Sequence, residues 1–498
     1  MQFMNRSKFT KNVIIGFGGQ LLIIILGIIV PRIMLTSYGS DVNGLLGTIT
    51  QIFTYMALLE AGIGQAARNA LYEPILRKDR NEVSSVASAA QSYFRKFTRY
   101  YAVGVVLLAC VLPFLINTNV EKLTVFLIVI LEGLSEVVTF YFTQTKNVVL
   151  GADGRGYINN IISVANRTVS YIVKIAMASA GISIVAVQFG YFIISILKSV
   201  FYEYYFKKNY NWLSFNAHCK ENVIKDRNAY VLTEITWAIF SSTDMIVLSM
   251  FVSTKVSSVY SIYSMVFSNL NALLNVVYHS ISYVLGQAYH EDMNKYEKLH
   301  DAYTSFFLGT MTVLMSVCYL LITPFVSLYT HGITDVNYIY DSLPIMFCLI
   351  QIISWSRYVG GNLTGIAGYA KQTSYISLAE AITNLTLSII LVRKFGIIGV
   401  TFATVVALPL KVIWCVYISD KKVMKRSYYK TVKILGCNYL FFFGVVCFSK
   451  FYQPMIESYL QFFVWGVLLT GALGVSGMGL NLLVNKDCLK MVKRYVLK

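Results

Sequence analysis

Between Lys11 and Arg32 the chain reads NVIIGFGGQLLIIILGIIVP, residues Asn12 to Pro31, twenty positions without a charge. A helix rises about 1.5 Å per residue, so about 20 such residues cross a hydrocarbon core about 30 Å thick. The run is continuous and lacks the period-2 alternation of a barrel strand, so a membrane helix is the reading. Its apolar core is longer than that of a secretory signal, and it runs into Pro31-Arg32 without a small-x-small cleavage site. The segment is therefore expected to stay in place as the first membrane helix.

Charge-free runs recur from Tyr100 to Val120, Ile175 to Leu197 and Ser458 to Asn485. Extended along the chain, the same reading gives fourteen spans. They are 12–35, 43–66, 98–117, 121–144, 157–179, 182–205, 228–251, 256–285, 302–329, 342–367, 373–392, 396–418, 431–449 and 457–484. Twelve is the competing count, because Arg357 interrupts the tenth span and Glu380 the eleventh. Composition agrees with a membrane protein: the 498 residues are 56% hydrophobic and 13% charged. A soluble chain carries about a quarter charged residues, so a soluble enzyme is excluded, and so much apolar surface excludes disorder.

The formal charge of +18 is unevenly placed. Of 42 Lys and Arg residues, 31 fall at the termini or in even-numbered loops, six in odd-numbered loops and five inside spans. That asymmetry orients both termini to the cytoplasm. Scattered over eight short segments, the basic residues form no single patch, and a nucleic-acid partner is not expected. The eight cysteines include no C-x-x-C pair. The chain lacks a P-loop and an H-E-x-x-H motif, and its five histidines are scattered. ATP hydrolysis and a metal site are not expected.

A period is present. Under a shift of 215, Arg32–Phe53 overlies Val247–Ser268. Under a shift of 214, the fifth span overlies the eleventh, matching Gly151 with Gly365, Gly154 with Gly368, Ser163 with Ser377 and Asn166 with Glu380. One residue later Gly181-Ile182 matches Gly396-Ile397. A separation of six spans preserves topology, so the repeat is parallel. The expected architecture is an all-α integral membrane protein of about fourteen transmembrane helices. Two six-helix lobes, 12–205 and 228–418, are joined by a cytoplasmic linker, 206–227, and followed by a helix pair, 431–484. Lobes of this kind rock about a shared cavity in several secondary transporters.

Ionisable residues inside spans are costly and mark candidate sites. Glu60, Gly64 and Arg68 share one face of the second span, flanked by Gly62 and Gln65. Gly62 and Gly64 are read as packing glycines. Glu60 and Arg68 are read as an ion pair or as cavity lining. On the fifth span Ser163, Arg167, Ser170 and Lys174 form a stripe whose two cations suit an anion, with Arg357 and Lys411 as additions. The competing reading has Lys174 and Lys411 snorkelling to an interface and Arg167 paired with Glu132 or Glu136. Among the acids, Glu60, Asp244 and Glu380 are candidates for ion coupling, and Glu234 stands alone like the latter two.

Several stretches then suggest a family. IVPRIMLTSYG (Ile29 to Gly39), NGLL from Asn43 and YMALLEAGIG (Tyr55 to Gly64) resemble the opening of the bacterial polysaccharide transporters. These are lipid-linked oligosaccharide flippases of the multidrug/oligosaccharidyl-lipid/polysaccharide (MOP) superfamily. TDMIVL from Thr243, followed by Val259-Tyr260, resembles the start of the family's second lobe, and FGIIGVTFA (Phe395 to Ala403) resembles its "fGi.Gva.a" signature. The resemblance implies translocation of undecaprenyl-diphosphate-linked oligosaccharide units to the outer leaflet for capsule, exopolysaccharide or O-antigen assembly. It implies alternating access coupled to Na+ or H+, with no other cofactor and no catalysis. The implied partners are the lipid-linked glycan, membrane lipids, a polysaccharide polymerase and glycosyltransferases. Arg68, Arg167, Lys174 and Arg357 are the cations expected to meet the diphosphate. Two alternatives stay open: a multidrug cation extruder of the same superfamily, and a membrane polymerase or glycosyltransferase.

Overall fold

The computed structural model describes residues 6–215, 243–357, 360–361, 363–364, 367–451, 453–485 and 488. Among them every regular element is a helix. The chain forms two compact units, Met1–Ser258 and Val259–Lys498.

In the first unit α1 (Arg6–Arg77) is broken at Gly39, whose φ of 80° and ψ of 177° no side-chain-bearing residue adopts readily. Its two arms form a hairpin. Gly19 lies against Val164 near the start of α4, whereas the Tyr38 hydroxyl donates to the Ile182 carbonyl (2.5 Å) beyond the end of α4. The second arm returns, so that Arg68 packs on Gly151 at the end of α3. Then come α2 (Arg80–Leu115), α3 (Lys122–Ala152), α4 (Gly156–Ser179) and α5 (Ile184–Asn209). The helix α2 starts far before the expected span at 98, because Asp79 caps it by accepting from the backbone N–H groups of Asn81 and Glu82 (3.0 Å each).

After α5 the chain folds back on α2. Ser88 Oγ donates to the Phe215 carbonyl (2.8 Å), and the Arg80 guanidinium lies 5.3 Å from the Trp212 ring centre. The Tyr210 hydroxyl donates to Asp153 (2.7 Å), and burial, followed by that carboxylate, raises the Tyr210 pKa. Of the expected linker 206–227, residues 216–227 lie outside the described set, as does Glu234.

A helix over 243–251, α6, completes the first unit together with the start of α7 (Thr254–Glu291). This seam is polar. Asp41 accepts from Thr254 Oγ1 (2.6 Å) and Asn119 Nδ2 (3.1 Å), and Thr48 pairs with Ser249 (2.5 Å). Asn43 donates to Ser258 (2.8 Å), a residue at the matching position of the 215-residue shift. At Gly44 an added Cβ would stand 1.7 Å from the Thr254 carbonyl oxygen, so only glycine permits this approach.

The second unit continues with α8 (Met293–Tyr329) and α9 (Leu343–Ser356). The expected tenth span, 342–367, loses its regular helix at Arg357. Next, α10 (Ala370–Ala407) breaks at Gly396 (φ 54°, ψ −129°). Asn384 Nδ2 donates to Thr404 Oγ1 (2.7 Å), and farther from the bend Trp414 Nε1 donates to Thr373 Oγ1 (3.2 Å), so this too is a hairpin. A short α11 (Pro409–Val416) leads into a π-helical turn, Tyr417–Val423. The pair α12 (Tyr429–Ser449) and α13 (Tyr459–Val484) is fastened by reciprocal amide hydrogen bonds between Asn438 and Asn481, both 3.0 Å.

Nine helical runs among the described residues are long and apolar enough to cross a membrane, and the two broken by Gly39 and Gly396 each hold two spans. One matched pair of glycines behaves alike. Gly154 and Gly368 have φ of 69° and 84°. Each precedes a backbone N–H that closes a helix end on a carbonyl five residues back: Arg155 on Leu150 (2.9 Å) and Tyr369 on Thr364 (2.8 Å). All four residues obey the 214-residue shift.

Candidate anion-binding site in the first unit

The first unit gathers five embedded charges. Glu132 and Glu136 stand one turn apart on α3; Arg167 and Lys174 come from α4, and Lys198 comes from α5. Glu132 is fixed from two sides, by Thr50 Oγ1 of α1 and Gln188 Nε2 of α5, each donating at 3.0 Å. Lys174 rests its ammonium 4.7 Å from the Tyr191 ring centre and is within electrostatic reach of Glu132. Arg167 and Lys198 are both within reach of Glu136. Among the described residues no carboxylate comes within 4.0 Å of any of these three cations.

The expected stripe on α4 is uneven: Ser170 is buried, Ser163 and Lys174 are half-buried, and Arg167 is exposed at the surface of the unit. Around it the Tyr101 hydroxyl, Asn166 Oδ1, Ser170 Oγ and Gln188 Oε1 are buried with no hydrogen-bond partner among the described residues. Buried polar atoms are normally paired, so these four stand out.

The other candidates fall elsewhere. Arg68 packs on Gly151 with its Nε buried and unpartnered among the described residues. Gly64 is buried, while Glu60 and Gly62 lie outside the residues whose side chains are described. Asp244 is buried on α6, next to Thr243, whose hydroxyl pairs with that of Tyr55 (2.7 Å).

In the second unit Arg357 and Glu380 join each other. The guanidinium meets both carboxyl oxygens (2.9 and 3.0 Å), with side chains 4% and 2% exposed, and Lys411 lies within electrostatic reach of both. A second network carries no local sequence signal. Arg426 donates to Asp301 of α8 (2.6 and 2.8 Å) and to Asp420 of the π-helical turn (2.7 Å), and Lys430 reaches Asp301 at 2.7 Å. Burial opposes the Arg426 charge, but the two carboxylates outweigh it and raise its pKa above the ordinary arginine value. Lys198 is the site residue that sequence reasoning left unassigned; its signal was a lone cation ending a long charge-free run.

The fold is that of the MOP transporters. Over 93% of its length the chain resembles the lipid II flippase MurJ in an inward closed conformation, covering 97% of that protein, with a TM-score of 0.68 and 15% identity. It is similar over 79% of its length to an inward-facing multidrug resistance MATE transporter, covering 93% of that chain (TM-score 0.65, 13% identity). A MOP superfamily transporter from Pyrococcus furiosus with a binding pocket of reverse polarity matches over 82% of this chain and 96% of its own (TM-score 0.56, 13% identity). No family model matches the sequence, and no curated protein matches it. The protein is thus a multi-pass membrane protein with a transporter fold.

Proposed function

We propose that this protein is a flippase for undecaprenyl-diphosphate-linked oligosaccharide units. It moves them from the cytoplasmic to the outer leaflet of a bacterial plasma membrane by alternating access coupled to Na+ or H+. The units feed capsule, exopolysaccharide or O-antigen assembly, made by glycosyltransferases and consumed by a polymerase. The carrying observation is the charge balance of the first unit: Arg167, Lys174 and Lys198 against Glu132 and Glu136, with no ion pair closed among them. Arginine and lysine whose charge is not closed in an ion pair suit a diphosphate. The proposed orientation places both termini in the cytoplasm, as the loop charges favour.

Reconstituted protein in liposomes loaded with a fluorescent prenyl-diphosphate oligosaccharide tests this. Accessibility of the sugar to an external glycosidase should rise with wild-type protein and fall to the protein-free rate for Arg167→Ala with Lys174→Ala. Equal rates with and without protein overturn the reading. The likeness to a MATE transporter keeps a second reading in view, extrusion of organic cations, for which Glu132 and Glu136 would be the ligands. Dye efflux that stops in Glu132→Gln while sugar flipping is absent would select it.

A further inference from the structure

Glu132 and Glu136 have the same chemistry, the same helix and neighbouring turns, and opposite surroundings. Glu132 accepts hydrogen bonds from Thr50 and Gln188 (3.0 Å each). Glu136 has no hydrogen bond and no ion pair within 4.0 Å among the described residues. The groups facing it are Glu132 on its own helix, Tyr101 on α2, Arg167 on α4, and Tyr191 and Lys198 on α5. Among the described residues its charge is therefore sustained only by two cations at a distance, in a setting where an uncompensated carboxylate is costly.

We propose that Glu136 is an internal stand-in for the substrate anion: it balances Arg167 and Lys198 until a phosphate- or diphosphate-bearing ligand takes those cations, and then accepts a proton from solvent. The inference rests on the anionic substrate proposed above and adds Lys198 to the residues that meet it. The step is a simple transfer: one proton joins a Glu136 carboxylate oxygen, and the negative charge it leaves is supplied by the ligand. Linkage is reciprocal, so whatever factor the bound anion adds to proton affinity at Glu136, the proton adds to anion affinity. Anion binding consequently weakens as pH rises through the Glu136 titration. Glu132, whose oxygens are already engaged by Thr50 and Gln188, takes no part in this exchange.

Calorimetric titration of the full-length protein in lipid nanodiscs with inorganic pyrophosphate, in two buffers of different ionisation enthalpy, counts the protons. Comparing wild type with Glu136→Gln removes the ligand's own protonation from the count. Wild type should take up more protons than E136Q, by a fraction approaching one. E136Q should bind at least about fivefold tighter at alkaline pH, the lower end of ordinary coupling between sites. Glu136→Asp should restore the uptake, Glu132→Gln should leave it unchanged, and Lys198→Met should weaken pyrophosphate binding about tenfold. Unchanged melting temperature in E136Q and E136D guards against a folding artefact. Equal proton counts for wild type and E136Q overturn the proposal while leaving the flippase reading intact, as does loss of uptake in E132Q instead. Wild type that binds no pyrophosphate overturns both. Proton-linked pyrophosphate binding without transport of lipid-linked sugar sinks the flippase reading alone.

Discussion

Arg357 in the second unit lies 2.9 Å from a Glu380 oxygen with both side chains sealed from solvent, whereas Arg167 in the first is exposed and meets no carboxylate within 4.0 Å among the described residues. The 214-residue shift makes the comparison sharper, since Asn166, the neighbour of Arg167, occupies the position that Glu380 holds in the second copy. Where one copy has the acid that spends an arginine's charge, the other has a neutral amide. A closed, buried ion pair holds elements together but has nothing left to offer a ligand. Cations balanced only from a distance cost stability and keep their charge for something else. Embedded charge thus means different things in the two units, and pairing decides which is structural.

The largest effect should come from the most heavily paired cation. Arg426→Met leaves the buried carboxylates of Asp301 and Asp420 without their main partner and should cost about 5 kcal/mol, the upper end for breaking a buried pair. Chemical denaturation in detergent micelles reads it; a loss below about 1 kcal/mol would mean that the network is solvated. Arg357→Met should cost about 3–5 kcal/mol for the same reason. Adding Glu380→Met should restore most of that, because two apolar side chains replace an ion pair at little net cost. If the double variant transports normally, the second unit's pair is structural. If it folds and transports nothing, the comparison breaks and Arg357 belongs with Arg167.

Arg167→Ala should do the reverse, lowering transport about ten- to a hundredfold, the worth of one charge-assisted hydrogen bond, and shifting stability by less than about 0.5 kcal/mol. A stability loss as large as that of Arg357→Met would show that Arg167 is already spent on Glu136.

The sequence carried this contrast only in part. Spans were legible because about 20 apolar residues without charge have one physical reading, and the broken runs at Gly39 and Gly396 fall where two spans were expected to turn. The helix ends that reach past the apolar cores, such as 80–97 of α2, were not, since polar helix and polar loop look alike in hydropathy. Arg167 and Lys174 stood out because helical spacing puts them on one stripe. The Arg357–Glu380 pair spans 23 residues and a turn, and Arg426–Asp301 spans 125. No local period reports such distances. What separates Glu132 from Glu136 is likewise supplied by Thr50 and Gln188, 82 and 56 residues away.

The repeat beneath the comparison can be tested at the backbone, where side-chain divergence has no say. Gly154 and Gly368 end their helices with positive φ and with the same six-residue closure, Arg155 to Leu150 and Tyr369 to Thr364. A Cβ costs roughly 1–2 kcal/mol in such a conformation, whatever surrounds it. At Gly368 nothing lies within 4 Å of where that Cβ would stand, so the backbone term acts alone there. Gly154→Ala and Gly368→Ala should therefore destabilise by similar amounts, and neither should change selectivity for pyrophosphate over an organic cation. If Gly368→Ala were neutral while Gly154→Ala was costly, the left-handed turn would be a local accident of the first unit. The alignment that sets Asn166 against Glu380 would then lose its structural footing, and with it the argument that one copy closed an ion pair where the other kept its cation free.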